Sequence, residues 1–140
     1  MSNAADAKAF IMVIDDSHTV RKILQVMLGR AGYAGATFVD GVTAMRWLQR
    51  PGSHIPDLVF LDLCLPHING YQVARSLRSL PQYKYTRIVM LTRRNNILDR
   101  LQARLVGVHG YLAKPFTQQE ILSTVERQLV IRARGCLAMA

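Results

Sequence analysis

The sequence predicts an α/β domain in which five strands alternate with five helices. Three observations predict it. Short continuous apolar runs such as "AFIMVID" (9–15) and "RIVMLT" (87–92) suit strands buried on both faces. Between such runs, apolar residues recur three and four positions apart, which marks one face of a helix. Turn residues separate the two patterns, as in Gly32, "RPGSHIP" (50–56) and Gly107. Strands alternating with helices imply a parallel sheet covered by helices on both faces.

The elements follow in order. "AFIMVID" is the first strand. Ser17 or Asp16 caps a helix whose inner face is Val20, Ile23, Leu24, Met27, Leu28 and Ala31, and Gly32 ends it. "AGATFV" (34–39) is a weaker second strand. Asp40 caps a helix that turns Ala44, Trp47 and Leu48 inward. "DLVFLD" (57–62) is the third strand, and Asn69 opens a helix carrying Val73, Ala74, Leu77 and Leu80. "RIVMLT" is the fourth strand. Ile97, Leu98, Leu101 and Leu105 mark the fourth helix, and "HGYLA" (109–113) is a short fifth strand. Thr117 and Glu120 form a capping box before Ile121, Leu122, Val125 and Leu129 of the last helix. One domain over residues 10–132 is expected. Residues 1–9 read as a tail whose "MSNA" start resembles an expression remnant. Residues 133–140 read as a fraying tail or the start of a linker.

Composition narrows the function. The chain has 140 residues and a net charge of +9, from 18 Lys and Arg against 9 acids. The basic residues are scattered, with no run of five and no basic helix interleaved with aromatics, so direct nucleic-acid binding is not expected. No apolar run approaches the roughly 20 residues of a membrane span, and a soluble cytoplasmic protein is expected. Cys64 and Cys136 form no CxxC pattern and read as reduced thiols. His18, His54, His67 and His109 show no metal-ligand spacing.

In open parallel sheets, ligands bind beyond the carboxyl ends of the strands. At those ends stand Asp15-Asp16, Asp62, Thr92 and Lys114-Pro115. Three carboxylates, a hydroxyl and an ammonium therefore gather on one edge. Carboxylates this close raise one another's pKa, and a divalent cation removes that conflict. Magnesium suits an oxygen-only set with room for water and phosphate, whereas zinc lacks a His or Cys cluster. Cys64 follows Asp62 by two and is placed to offer its backbone carbonyl. A lone carboxylate beside a metal and a lysine is suited to become an aspartyl phosphate.

With those residues in view, the sequence resembles the receiver domain of two-component response regulators. The resemblance is carried by "VIDDS" (13–17), "LDLCLPHINGYQ" (61–72), "VMLT" (89–92) and "GYLAKPF" (110–116). It implies a flavodoxin-like, doubly wound (βα)5 fold with strand order 2-1-3-4-5. It implies that Asp62 accepts a phosphoryl group from a sensor histidine kinase. Asp16 would bind magnesium directly, Asp15 through water, and the Cys64 carbonyl would complete the protein ligands; manganese would be an acceptable substitute. Lys114, before an often cis bond to Pro115, would pair with the phosphate. Thr92 would move toward the phosphate and Tyr111 would turn inward behind it. The surface of the fourth helix, fifth strand and fifth helix would then control a downstream protein or output domain, or form a homodimer.

The resemblance also implies a switch that catalyses only its own phosphorylation and dephosphorylation. Three residues depart from the family pattern: Arg93, where a small residue is usual, Arg94 at a position that tunes dephosphorylation, and Cys64. They bear on access and kinetics. The competing readings are a scaffold that takes little or no phosphate, the receiver part of a longer transcription regulator, and a magnesium phosphatase. The last commonly has a second acid two residues after its nucleophile, where this chain has Cys64.

Overall fold

The computed structural model describes residues 9–93, 101, 102, 104 and 106–138, with side chains through 137. Five strands, β1 (Phe10–Ile14), β2 (Ala34–Phe38), β3 (Leu58–Asp62), β4 (Arg87–Thr92) and β5 (Gly110–Ala113), form one sheet. All pairings are parallel and the order is β2-β1-β3-β4-β5. The helices are α1 (His18–Arg30), α2 (Gly41–Leu48) and α3 (Gly70–Arg78). Leu101, Gln102 and Arg104 are helical and belong to α4, and α5 is Gln118–Ala138. Ile97, Leu98, Leu105 and Arg94 lie outside the described residues.

Side chains alternate across a strand, so each central strand feeds two cores. Met12, Ile14, Val59, Leu61, Ile88 and Met90 pack under α2 and α3, with Ala44, Leu48, Val73 and Leu77. Ile11, Val13, Leu58, Phe60, Val89 and Leu91 pack under α1 and α5, with Leu24, Leu28, Ile121 and Val125. A buried Leu or Ile side chain contributes about 1.5–3 kcal/mol, so these two layers hold the strand ends in place.

Local caps set the helix starts. Ser17, rather than Asp16, caps α1 by accepting the Val20 N–H. Asp40 accepts from Thr43 at α2. Asn69 and Gln72 form a reciprocal capping box at α3. Thr117 accepts the Glu120 N–H at α5 while the Glu120 carboxylate reaches back to Thr117.

The structure corrects three expectations. Ile23 is 47% exposed, not inward. Ile23 sits at the margin of the α1 stripe, whose buried residues are Leu24 and Leu28. Trp47 is only half-buried and stacks on Phe10, at the amino end of β1. Residues 133–138 are helix, not a fraying tail. Ala, Arg and Leu are strong helix formers, and one Gly is tolerated at about 1 kcal/mol.

Candidate functional site

The register builds the site. Ile14 pairs with Leu61, Asp62 with Leu91, and Thr92 with Ala113. The residues ending or following these strands, Asp15, Asp62, Thr92 and Lys114, therefore emerge at one level. Backbone bonds tie the exits together: the Leu63 N–H donates to the Leu91 carbonyl (3.0 Å) and the Lys114 N–H to the Thr92 carbonyl (2.8 Å). Gly70 completes the floor. A Cβ there would stand 2.4 Å from the Asp62 carbonyl oxygen, so only glycine lets α3 begin this close to β3. The Lys114–Pro115 bond is cis, as the resemblance implied.

Asp15 is fully buried and Asp62 is 6% exposed, while Asp16 is exposed. Carboxylate oxygens of all three lie within 4.8 Å of one another. Lys114 Nζ bridges two of them, donating to Asp15 Oδ2 at 2.6 Å and to Asp62 Oδ2 at 3.3 Å. The other oxygens are also held. Asp15 Oδ1 accepts the Ser17 N–H at 2.8 Å, and Asp62 Oδ1 accepts the Cys64 N–H at 3.0 Å. The Arg21 guanidinium donates to the Asp15 carbonyl at 2.7 Å, fixing the turn that aims the acid.

Burial pushes the Asp62 carboxyl up to about 6, and the Asp15 charge adds to the rise; the Cys64 N–H and Lys114 oppose it. The site thus holds more negative charge than its lysine offsets. Above the acids opens a cavity of about 380 Å³, lined by Asp16, Asp62, Cys64, Thr92, Arg93 and Lys114 among others. The donors are hard oxygens from three acids, the Cys64 thiol is exposed rather than clustered with nitrogen ligands, and the charge excess is negative. That set fits magnesium or manganese and does not fit zinc.

Each sequence-derived site residue within the described part has a definite place. Asp15, Asp16, Asp62, Thr92 and Lys114 come together, with Cys64 and Arg93 on the cavity wall. Tyr111 is half-buried in β5 and packs against the core under α2 and α3. Ser17, Val20 and Arg21 were not singled out as site residues, yet two line the cavity and the third holds the Asp15 turn. The signal available for them was adjacency to Asp15-Asp16 at the start of α1.

A parallel sheet in the order 2-1-3-4-5, with an acid triad and a lysine at its carboxyl edge, defines a phosphate-handling signalling module. The chain belongs to the response regulator receiver domain family, whose model matches residues 11–126. It is 32% identical over 116 residues to the protein PilG of Pseudomonas aeruginosa, covering 83% of this chain and 84% of PilG. It is 34% identical to the alkaline phosphatase synthesis transcriptional regulatory protein PhoP of Bacillus subtilis, covering 83% of this chain and 46% of PhoP. The chain thus spans about half the length of the transcription regulators it matches. Among solved structures, the chemotaxis response regulator CheY4 of Vibrio cholerae superposes with a TM-score of 0.81 at 31% identity, over 86% of this chain and 98% of that one. The receiver domain of a Pseudomonas aeruginosa sensor histidine kinase, with magnesium coordinated in its active-site cleft, matches with a TM-score of 0.78 at 28% identity, covering 88% and 98%. The chain is thus a receiver domain of the two-component kind, a family of signalling switches.

Proposed function

We propose that Asp62 is the phosphoacceptor and that a sensor histidine kinase supplies the phosphoryl group. The observation that carries this reading is the bridged triad: Asp62 stands at the base of an open cavity, 3.3 Å from Lys114, beside two further acids. A carboxylate oxygen of Asp62 attacks the phosphorus of a phosphohistidine. The O–P bond forms as the P–N bond breaks, and the imidazole nitrogen leaves with the electron pair and takes a proton from water. Magnesium, held by Asp15, Asp16, Asp62 and the Cys64 carbonyl, would neutralise phosphoryl charge. Lys114 supplies a fixed ammonium to the same oxygens, and Thr92 a hydroxyl at the neighbouring strand end. The Lys114–Asp15 contact at 2.6 Å keeps the ammonium in place before phosphate arrives.

New phosphate contacts then bias Thr92 and Tyr111 between two packings, and the α4-β5-α5 surface carries the change to a downstream protein, an output domain or a second copy. Location in the cytoplasm follows from this role, and no helix among the described residues is long and apolar enough to cross a membrane. A second arrangement has this receiver control an output domain in the same protein, as the match to transcription regulators such as PhoP suggests. The test is intact-mass analysis after acetyl phosphate with magnesium. One phosphoryl group is expected on the wild type and none on Asp62→Asn; an equal gain on both would place the acceptor elsewhere.

A further inference from the structure

The family match ends at residue 126, but α5 continues to Ala138. Residues 127–138 contain Arg127, Arg132 and Arg134 and no acid. One side of this stretch is committed to the domain. Gln128 is 2% exposed and accepts from Arg87 Nε at 2.8 Å, and Arg132 pairs with Asp57 at 3.0 Å. The opposite side is open. Val130, Ile131 and Leu137 are 50%, 40% and 76% exposed, and Arg127 and Arg134 are exposed between them. At 3.6 residues per turn, Arg134 projects between Val130 and Ile131. Arg127 lies two turns earlier, about 10.5 Å along the axis. The stripe is a line of arginine with apolar groups on either side.

We propose that this stripe docks an acidic amphipathic helix of a partner protein. Two carboxylates of the partner, two turns apart, meet Arg127 and Arg134, and its apolar side chains cover Val130, Ile131 and Leu137. Arginine forks match carboxylates in two-bond geometry and serve well at interfaces. A second copy fits worse, because it would set arginine against arginine. The nearest acid in the helix, Glu126, stands close enough to Tyr33 to raise its phenol pKa, second to burial as a cause, and so lies toward the α1–β2 turn. A membrane surface also fits worse. Interfacial helices keep basic and apolar faces apart, whereas here insertion of Val130 and Ile131 would drag Arg134 with them. A nucleic-acid backbone offers phosphates but nothing apolar to cover Leu137. The proposal does not depend on phosphorylation of Asp62.

The test uses the full chain and a synthetic helical peptide with two glutamates seven residues apart, flanked by leucines three and four positions away. Binding is followed by amide chemical shifts and by fluorescence anisotropy. We expect shifts centred on residues 127–138, at least tenfold weaker binding when the glutamates become glutamine, and a similar loss in Arg134→Glu. A peptide with lysines in place of the glutamates should bind the double variant Arg127→Glu/Arg134→Glu, which separates charge pairing from damage to the fold. No binding, equal binding of the glutamine peptide, or shifts centred elsewhere overturns the proposal. So does a wild-type dimer that Ile131→Asp splits in light scattering. Co-sedimentation with phosphatidylserine vesicles in the absence of peptide binding would likewise assign the stripe to membranes and overturn it.

Discussion

The two ends of the sheet treat charge in opposite ways. At the carboxyl end, Asp15, Asp16 and Asp62 crowd within 4.8 Å and Lys114 bridges two of them. At the amino end, most charged and polar groups find nearby partners, although Arg78 Nε and Arg132 Nε, both buried, have none. Asp57 accepts from Arg132 at 3.0 Å and from the Phe10 N–H at 2.8 Å. Thr86 donates to the Pro56 carbonyl, and Arg78 spans the carbonyls of Tyr83, Lys84 and Thr86. His109 Nδ1 accepts the Ile88 N–H at 3.0 Å, filling the place of a strand carbonyl. The same fold therefore gathers acids where a ligand can enter, whereas at the strand starts Arg78 and Arg87 are held by neutral oxygens and Arg132 by a carboxylate. Burial shifts a pKa at both ends, up to about 6 for Asp62 and down to about 4 for His109. Only the first shift leaves a group waiting for a partner.

The sharpest break between the ends is in phosphoryl labelling. Asp62→Asn is expected to lose it completely, whereas Asp57→Asn, the amino-end acid, should label as the wild type does while melting at a lower temperature. Loss of labelling in Asp57→Asn under folded conditions would dissolve the distinction. Within the carboxyl end, Asp16→Asn is expected to weaken magnesium binding by on the order of a hundredfold and Asp15→Asn by less, because magnesium retains waters and takes few direct carboxylates. Calorimetry decides this, and an unchanged affinity in Asp16→Asn removes the assignment.

The pH dependence should carry opposite signs at the two ends. Asp62 has a folded pKa above its usual 3.8, so its ionisation costs stability as pH rises from 3.8 to about 6, and the cost is constant above that. Asp62→Asn should therefore be more stable than wild type by about 1–3 kcal/mol at pH 8, with the gap roughly halved near pH 5 and closed only as pH falls below the usual 3.8. His109 has a folded pKa below its usual 6.5, caused by burial and then by the charges of Arg87 and Arg78. Its neutral form supports the fold above pH 6.5, and that support is lost as pH falls toward 4. His109→Asn, able to accept the same N–H, should flatten the acid side of the stability profile by about 1–3 kcal/mol. Denaturant melts across pH 4–8 measure both, and parallel profiles for the two variants would contradict the contrast.

The smallest expected effect lies at the cavity mouth. Arg93 is exposed there and lines the cavity, and we expect its bulk to oppose an in-line approach to Asp62 more than its charge attracts anions. Charge steering is screened over about 10 Å at moderate salt. Arg93→Ala should label with acetyl phosphate up to about tenfold faster. An unchanged or slower rate would mean that the side chain merely points to solvent.

The sequence by itself determined the alternation of strands and helices, the caps at Asp40, Asn69 and Thr117, and the set of acids, hydroxyl and lysine at the strand ends. These are local properties. Period, capping chemistry and the position of a residue within its own strand are encoded over a few neighbours. The strand order came with the family resemblance rather than from the pattern. Tertiary structure alone decided how the site residues meet: that Lys114 holds Asp15 more closely than Asp62, and that Arg21 braces the Asp15 turn. It also decided the amino-end pairs, Asp57 with Arg132 and His109 with Ile88. Their partners are 75 and 21 positions apart, and nothing in the local pattern of either segment names the other. The outward turn of Ile23 has the same origin. A helix face is defined by period, but its edge is defined by where the sheet beneath it stops.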